Sequence, residues 1–143
     1  MQLQALRFLW MCLVLISAAA ATAAELAPDE AKAIRAVVQA QLDAFRADDS
    51  KRAFSYASAE IQQMFVTPAK FLAMVRDRYP VVYRPASVSF MLPQRIDGQV
   101  SQVVQMTDSK GLSWLAVYLL EQQPDKSWRI SGCQTVQTTA RTV

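Results

Sequence analysis

Histidine is absent from this 143-residue chain. That absence removes Ser–His and Cys–His nucleophile pairs, imidazole metal ligands and the commonest proton shuttle near neutral pH. Cysteine is almost as scarce, with Cys12 and Cys133 alone. Cys12 falls in a leader described below, so one thiol remains in the mature part, which excludes an internal disulfide and makes a structural zinc site implausible. The three glycines, Gly98, Gly111 and Gly132, are too far apart to cradle a phosphate. No Ser-x-x-Lys pair occurs. Charge of either sign is thin: 15 basic residues against 12 acidic give a net charge of +3. The basic residues are interleaved with Asp and Glu, so no nucleic-acid-binding stripe emerges. Neither a metal nor a cofactor is expected.

Long apolar runs are also missing, with one exception near the start. Arg7 precedes the apolar stretch Phe8–Ile16, and a ladder of small residues runs from Ser17 to Ala24 before Glu25. This order is that of a secretory signal peptide, with an A-x-A site at Ala21-Thr-Ala23 and a looser one ending at Ala24. Phe8–Ile16 would span about 13 Å as a helix, against the roughly 30 Å of a bilayer core. Cleavage is therefore the favoured reading, and an uncleaved amino-terminal anchor is the alternative. Trp10 and Met11 before Cys12 do not suit a lipoprotein site. The expectation is a leader over residues 1–24 and one exported domain over 25–143, in a bacterial periplasm, free of the membrane once the leader is removed.

The mature part divides by period. Pro28-Asp-Glu30 opens a helix, with proline where an N–H has no partner and acids beside the positive helix end. Ile34, Val37, Val38, Leu42 and Phe45 recur at helical spacing, and Arg35, Gln39, Asp43 and Arg46 fall on the wetter side. Asp48-Asp-Ser50 breaks this helix and caps a shorter one through Ala53, Phe54 and Ala57. Ser58 starts another turn with Ile61, Met64 and Phe65 inward. Thr67-Pro68 caps a helix carrying Phe71, Met74, Val75 and Tyr79, and Pro80 ends it. Beyond Pro85 the period becomes two. Val88, Phe90 and Leu92 alternate with serines, Gly98 marks a turn, and Val100, Val104 and Met106 follow. Asp108-Ser-Lys-Gly111 reads as a hairpin turn. Leu112–Glu121 is apolar on both faces, as a central strand is. Pro124-Asp-Lys-Ser127 is the next turn, and Trp128–Val136 is the last strand, with Gly132 a bulge or close approach. Helices first and four consecutive strands after them predict an α+β fold, with the amino-terminal helices packed on a four-stranded antiparallel sheet.

The segments Ser58-Ala-Glu-Ile61 to Phe65, Pro68-Ala-Lys-Phe71, Met74-Val75, Tyr79-Pro80 to Arg84-Pro85 and Trp128-Arg-Ile-Ser-Gly-Cys133 resemble a bacterial exported family, domain-of-unknown-function family 4864. The resemblance implies a curved, cone-shaped sheet wrapped by helices, similar to nuclear transport factor 2-like domains. That fold hosts isomerases, cyclases and non-catalytic binding domains alike, and the family brings no catalytic residues to carry over.

Carboxylate catalysis is the enzymatic chemistry that survives. It needs a desolvated acid beside a tyrosine. Asp97, Asp108 and Asp125 sit in expected turns, and Glu121 at a strand end. Asp43 is the one acid that could graze a cavity, and the plainer reading pairs it with Arg46 in solvent. Tyr56, Tyr79, Trp114 and Tyr118 are candidate ligand-lining residues, although aromatics at such spacing also make plain core. Arg76, Arg78, Tyr83 and Arg84 form a candidate partner-docking patch; the duller reading has Arg76 and Arg78 offsetting a helix dipole. By strict alternation Leu115, Val117, Leu119 and Cys133 share the outer sheet face with Met91 and Val103, among serines and Thr135. That half-apolar face is a candidate homodimer interface. Cys133 itself reads as a small buried hydrophobe. The leading functional expectation is a non-catalytic domain binding a small apolar ligand or a protein partner. The alternatives are a carboxylate/tyrosine isomerase- or cyclase-like enzyme and an envelope-associated structural protein holding its leader.

Overall fold

The computed structural model describes residues 23–139. The leader expected over residues 1–24, Arg7 and Cys12 included, lies almost wholly outside the described residues.

Five helices precede the main strands. They are α1 (Pro28–Arg46), α2 (Ser50–Ser55), α3 (Ala59–Phe65), α4 (Pro68–Arg78) and the short α5 (Pro80–Tyr83). Their starts follow from local chemistry. Asp49, Ser58 and Thr67 each accept a hydrogen bond from a backbone N–H three residues on, at 3.1, 3.3 and 3.3 Å, which satisfies donors that a helix's first turn leaves free. The Glu30 carboxylate accepts from the Ala27 N–H at 3.2 Å and serves α1 in the same way. The apolar stripe of α1 is buried as its spacing demands, with Ile34, Val38, Leu42 and Phe45 inward, joined by Gln41 and Ala44. α3 departs from expectation. None of its residues is fully buried, and Met64 points to solvent at 67 % exposure.

The strands are β1 (Ala23–Ala24), β2 (Ser87–Phe90), β3 (Gln94–Ile96), β4 (Gln99–Thr107), β5 (Ser113–Gln122) and β6 (Trp128–Gln137). They form one antiparallel sheet ordered β1-β3-β4-β5-β6, with β2 also paired to β4. The α+β class and antiparallel sheet are as expected, and the count of four strands is not. The first expected strand is two segments on one edge of β4: β2 faces residues 104–107 and β3 faces residues 99–101. Leu92, expected inward, lies between them at 85 % exposure. Pro93 has no N–H to offer the ladder there. Gln102 compensates, its side-chain amide donating to the Met91 carbonyl at 2.6 Å. A two-residue Asp97-Gly98 turn with both φ positive, 50° and 79°, joins β3 to β4, the geometry that suits right-handed strand twist.

One face of the sheet meets the helices. Val100, Val104 and Met106 of β4, Ala116, Tyr118 and Leu120 of β5, and Trp128 and Ile130 of β6 are buried there. They join the buried residues of α1, α2, α4 and α5 in a single core cluster. The segment between α2 and α3 is stitched to β6: the Ser58 N–H donates to the Ile130 carbonyl and the Ile130 N–H to the Tyr56 carbonyl, both at 2.8 Å.

Within β6 the alternation breaks. Leu119 pairs with Gly132 and Leu120 with Ile130, so Ser131 is an extra residue, a bulge. Every residue beyond it changes face. Cys133 stands opposite Tyr118 and Thr135 opposite Ala116, so both belong to the helix-facing side. The placement of Cys133 with Leu115, Val117 and Leu119 is thereby corrected. Gln134 and Val136 take the outer places, opposite Val117 and Leu115.

Candidate functional site: an apolar cavity between helices and sheet

A cavity of about 260 Å³ opens between the helices and the β5–β6 end of the sheet. α1 contributes Gln41 and Phe45, and α3 contributes Ile61 and Phe65. Phe71, Met74 and Val75 come from α4, with Tyr79 and Val82 just beyond it. Tyr118, Ile130 and Cys133 form the sheet side. Helical spacing in α4 explains its share, since residues three and four apart stand on one face. Phe71 is the hub of this wall: its ring centroid lies 6.0 Å from that of Phe45, 5.4 Å from Phe54 and 5.6 Å from Phe65. Such tilted and edge-on arrangements are the ones aromatic quadrupoles favour.

The polar equipment is sparse and uncharged. Gln41 is 3 % exposed and gives one amide N–H to the Ala53 carbonyl at 3.1 Å. The Tyr118 hydroxyl is buried beside the Cys133 thiol and makes no well-aligned hydrogen bond among the described residues. Burial drives its pKa well up, with the neighbouring Cys133 adding to the effect, so the phenol stays protonated. Burial likewise pushes the Cys133 thiol up to about 12. The residue keeps partial exposure, but the surroundings of its sulfur are mostly protein, and the thiolate needed for nucleophilic or metal chemistry is disfavoured. Gln102, Tyr118 and Cys133 occupy one transverse row of the inner sheet face, a polar line in an oily surface. The Gln102 side-chain oxygen is also buried without a partner.

None of the cavity's lining residues is a carboxylate. Asp43 is turned away: it accepts from the Gln39 amide at 3.0 Å and lies 4.0 Å from Arg46, as the plainer sequence reading has it. Glu30 bridges to Arg95 at 3.1 Å, tying α1 to β3. Asp108 collects the N–H groups of Lys110, Leu112 and the Trp114 indole. Those bonds, the indole's foremost, hold its carboxyl below the usual range. Among the described residues no group of three or more His, Cys, Asp or Glu side chains could hold a metal ion.

Of the four candidate ligand-lining residues, Tyr79 and Tyr118 line the cavity. Tyr56 and Trp114 do not. The Tyr56 hydroxyl accepts from Arg52 Nε at 3.4 Å, and Trp114 is held by Asp108 at 3.0 Å. The candidate docking patch splits as well. Arg76 and Arg78 are exposed at the end of α4, with Arg76 3.7 Å from the adjacent Asp77. Tyr83 and Arg84 instead turn inward on the chain. The Tyr83 hydroxyl donates to Asp48, and Arg84 donates to the Arg46 carbonyl and, at 2.9 Å, to the other Asp48 oxygen. The Arg84 guanidinium also lies 4.6 Å from the centre of the Tyr83 ring. This latch closes the turn between α1 and α2, where Asp48 has a φ of 52°. Sequence reasoning missed Gln41, Phe45, Ile61, Phe65 and Phe71 as cavity residues because their spacing marks them only as apolar or wet faces of helices.

A family model described as "Domain of unknown function (DUF4864)" matches residues 27–143. The chain belongs to that family. The match takes in every described helix and the five strands β2–β6, and with them the whole cavity. No curated protein and no solved structure matches the chain.

Proposed function

We propose that this chain is an exported, non-catalytic binding protein whose inner cavity holds a small apolar ligand. The observation that carries this reading is the cavity itself: about 260 Å³, walled by aromatic and aliphatic side chains, with no charged group in its lining. Binding sites for small molecules have this character, mostly apolar with a few polar groups. A carboxylate/tyrosine enzyme would need an acid in the same hollow, and the Asp and Glu side chains described above are engaged elsewhere. The arrangement of helices on one face of an antiparallel sheet suits the cone-like, nuclear transport factor 2-like architecture. Export is supported by the family match beginning at residue 27, just past the small-residue ladder. Among the described residues no helix is long and apolar enough to cross a membrane.

Native mass spectrometry of the protein recovered from a periplasm tests the whole reading. The expected polypeptide starts at Ala24 or Glu25 and gains thermal stability when saturated with toluene. A chain whose melting temperature ignores toluene and which carries no small molecule overturns it.

A second reading, self-association through the outer sheet face, is favoured by one observation. Among the described residues no helix covers that face, and Leu119 is 37 % and Val136 56 % exposed there, beside half-buried Leu115 and Val117. Sedimentation of the mature chain is expected to show dimers that Val117→Lys dissociates; a monomer at high concentration removes this reading.

A further inference from the structure

We propose that the ligand of the inner cavity is a neutral, mainly apolar molecule bearing one uncharged acceptor oxygen, which receives a hydrogen bond from the Tyr118 hydroxyl. The inference rests on the binding reading above and narrows its ligand class.

Tyr118 is 1 % exposed, lines the cavity, and carries a hydroxyl that makes no well-aligned hydrogen bond, although the Cys133 thiol lies beside it. A buried polar group without a partner is costly, and the cost disappears if phenylalanine stands in its place. Of the two buried polar atoms left without a good partner among the described residues, the Gln102 side-chain oxygen and this phenol, the phenol belongs to a residue that lines the cavity. Since burial keeps it protonated, it can donate to an oxygen brought by a ligand. An anion is a poor candidate for that role, because no cationic side chain lines the cavity and a buried charge needs a partner. Gln41 gives one of its two amide N–H groups to Ala53, and its side-chain oxygen is an acceptor that a hydroxyl-bearing ligand could use as well.

The Tyr118 hydroxyl is buried, so a ligand in the cavity meets it only when a neighbouring wall yields. α3 is the wall most easily moved. None of its residues is fully buried, and it ends at Val66, whose φ of 67° and ψ of −44° place a β-branched residue in a sterically disfavoured region. The Thr67 N–H closes that turn on the Phe65 carbonyl at 2.7 Å, a strained γ-turn.

The test uses acetophenone, cumene and benzoate, three probes of similar size that differ in their polar group, titrated calorimetrically into the mature chain and its Tyr118→Phe and Tyr79→Phe variants. Tyr118→Phe is expected to weaken acetophenone about tenfold, the worth of one net hydrogen bond, and to leave cumene unchanged. Tyr79→Phe should alter neither. The infrared carbonyl stretch of bound acetophenone should be lowered in the parent chain and not in Tyr118→Phe. Benzoate should bind more weakly than acetophenone. Equal losses for acetophenone and cumene, an unshifted carbonyl stretch, or benzoate as the tightest probe overturn the ligand class while leaving apolar binding intact. Failure of cumene and acetophenone alike to bind the parent chain overturns the binding reading, and this inference with it.

Discussion

Tyr118 and Cys133, cross-strand neighbours at one position of the sheet, set out the chemistry of the interior most clearly. Replacing Tyr118 by Phe removes a buried hydroxyl that lacks a well-aligned hydrogen bond and keeps the ring that packs. We expect the unliganded protein to become more stable by about 1 kcal/mol, read as a higher midpoint in urea; a loss of stability would mean that the hydroxyl has a partner in solution. Cys133 has the opposite experimental signature. With its thiol pushed up to about 12 from an ordinary value of 9.0, folding favours the protonated form. At neutral pH both states carry the proton and the thiol adds nothing to pH dependence. Above about pH 9 the unfolded chain sheds its proton first, so stability falls as pH rises toward 12, and Cys133→Ala should flatten that slope. At pH 8 iodoacetamide should alkylate the native thiol far more slowly than the thiol in urea, followed by mass spectrometry; equal rates would refute its desolvation.

Elements are joined by few but well-defined devices, and two of them make predictions. Arg84 reaches from the end of α5 to the turn after α1, meeting the Arg46 carbonyl and Asp48. Both side chains of the ion pair are about half exposed, so its Coulombic share is small. Arg84→Ala is expected to cost about 1 kcal/mol, the order of one net hydrogen bond, and to quicken amide exchange between α1 and α2 first. The turn after α3 offers the reverse case. Val66 is 70 % exposed and has a φ of 67°, a conformation glycine adopts freely. Val66→Gly should raise stability by about 1 kcal/mol in denaturant, because relief of strain outweighs the loss of a little-buried side chain; clear destabilisation would show that the side chain is held by contacts in solution. At this scale the sequence was readable in part. Thr67-Pro68, Ser58 and Asp48-Asp-Ser50 announced their helix starts through capping chemistry. Ile96-Asp-Gly-Gln99 carried the hairpin signal that would have revealed β3 beside β4. Gly98 by itself marks only a turn.

At the scale of the whole molecule one core unites five helices with the sheet, and Phe71 sits where α1, α2, α3 and α4 meet through their phenylalanines. Phe71→Ala should lower global stability by about 3 to 5 kcal/mol in a single cooperative transition; a small or local loss would mean that the helical layer does not share one core with the sheet. The amino-acid order determined the helix-then-strand succession, the capped starts, the α+β class and the uncharged interior, because periodicity, proline position and composition act locally and leave marks that can be read along the chain. The tertiary structure decided which aromatics share a cavity, that Tyr83 and Arg84 serve a latch, and on which face Cys133 stands. The reason is physical: one extra residue at Ser131 inverts every side chain after it, and only pairing with β5 reveals that residue as the extra one.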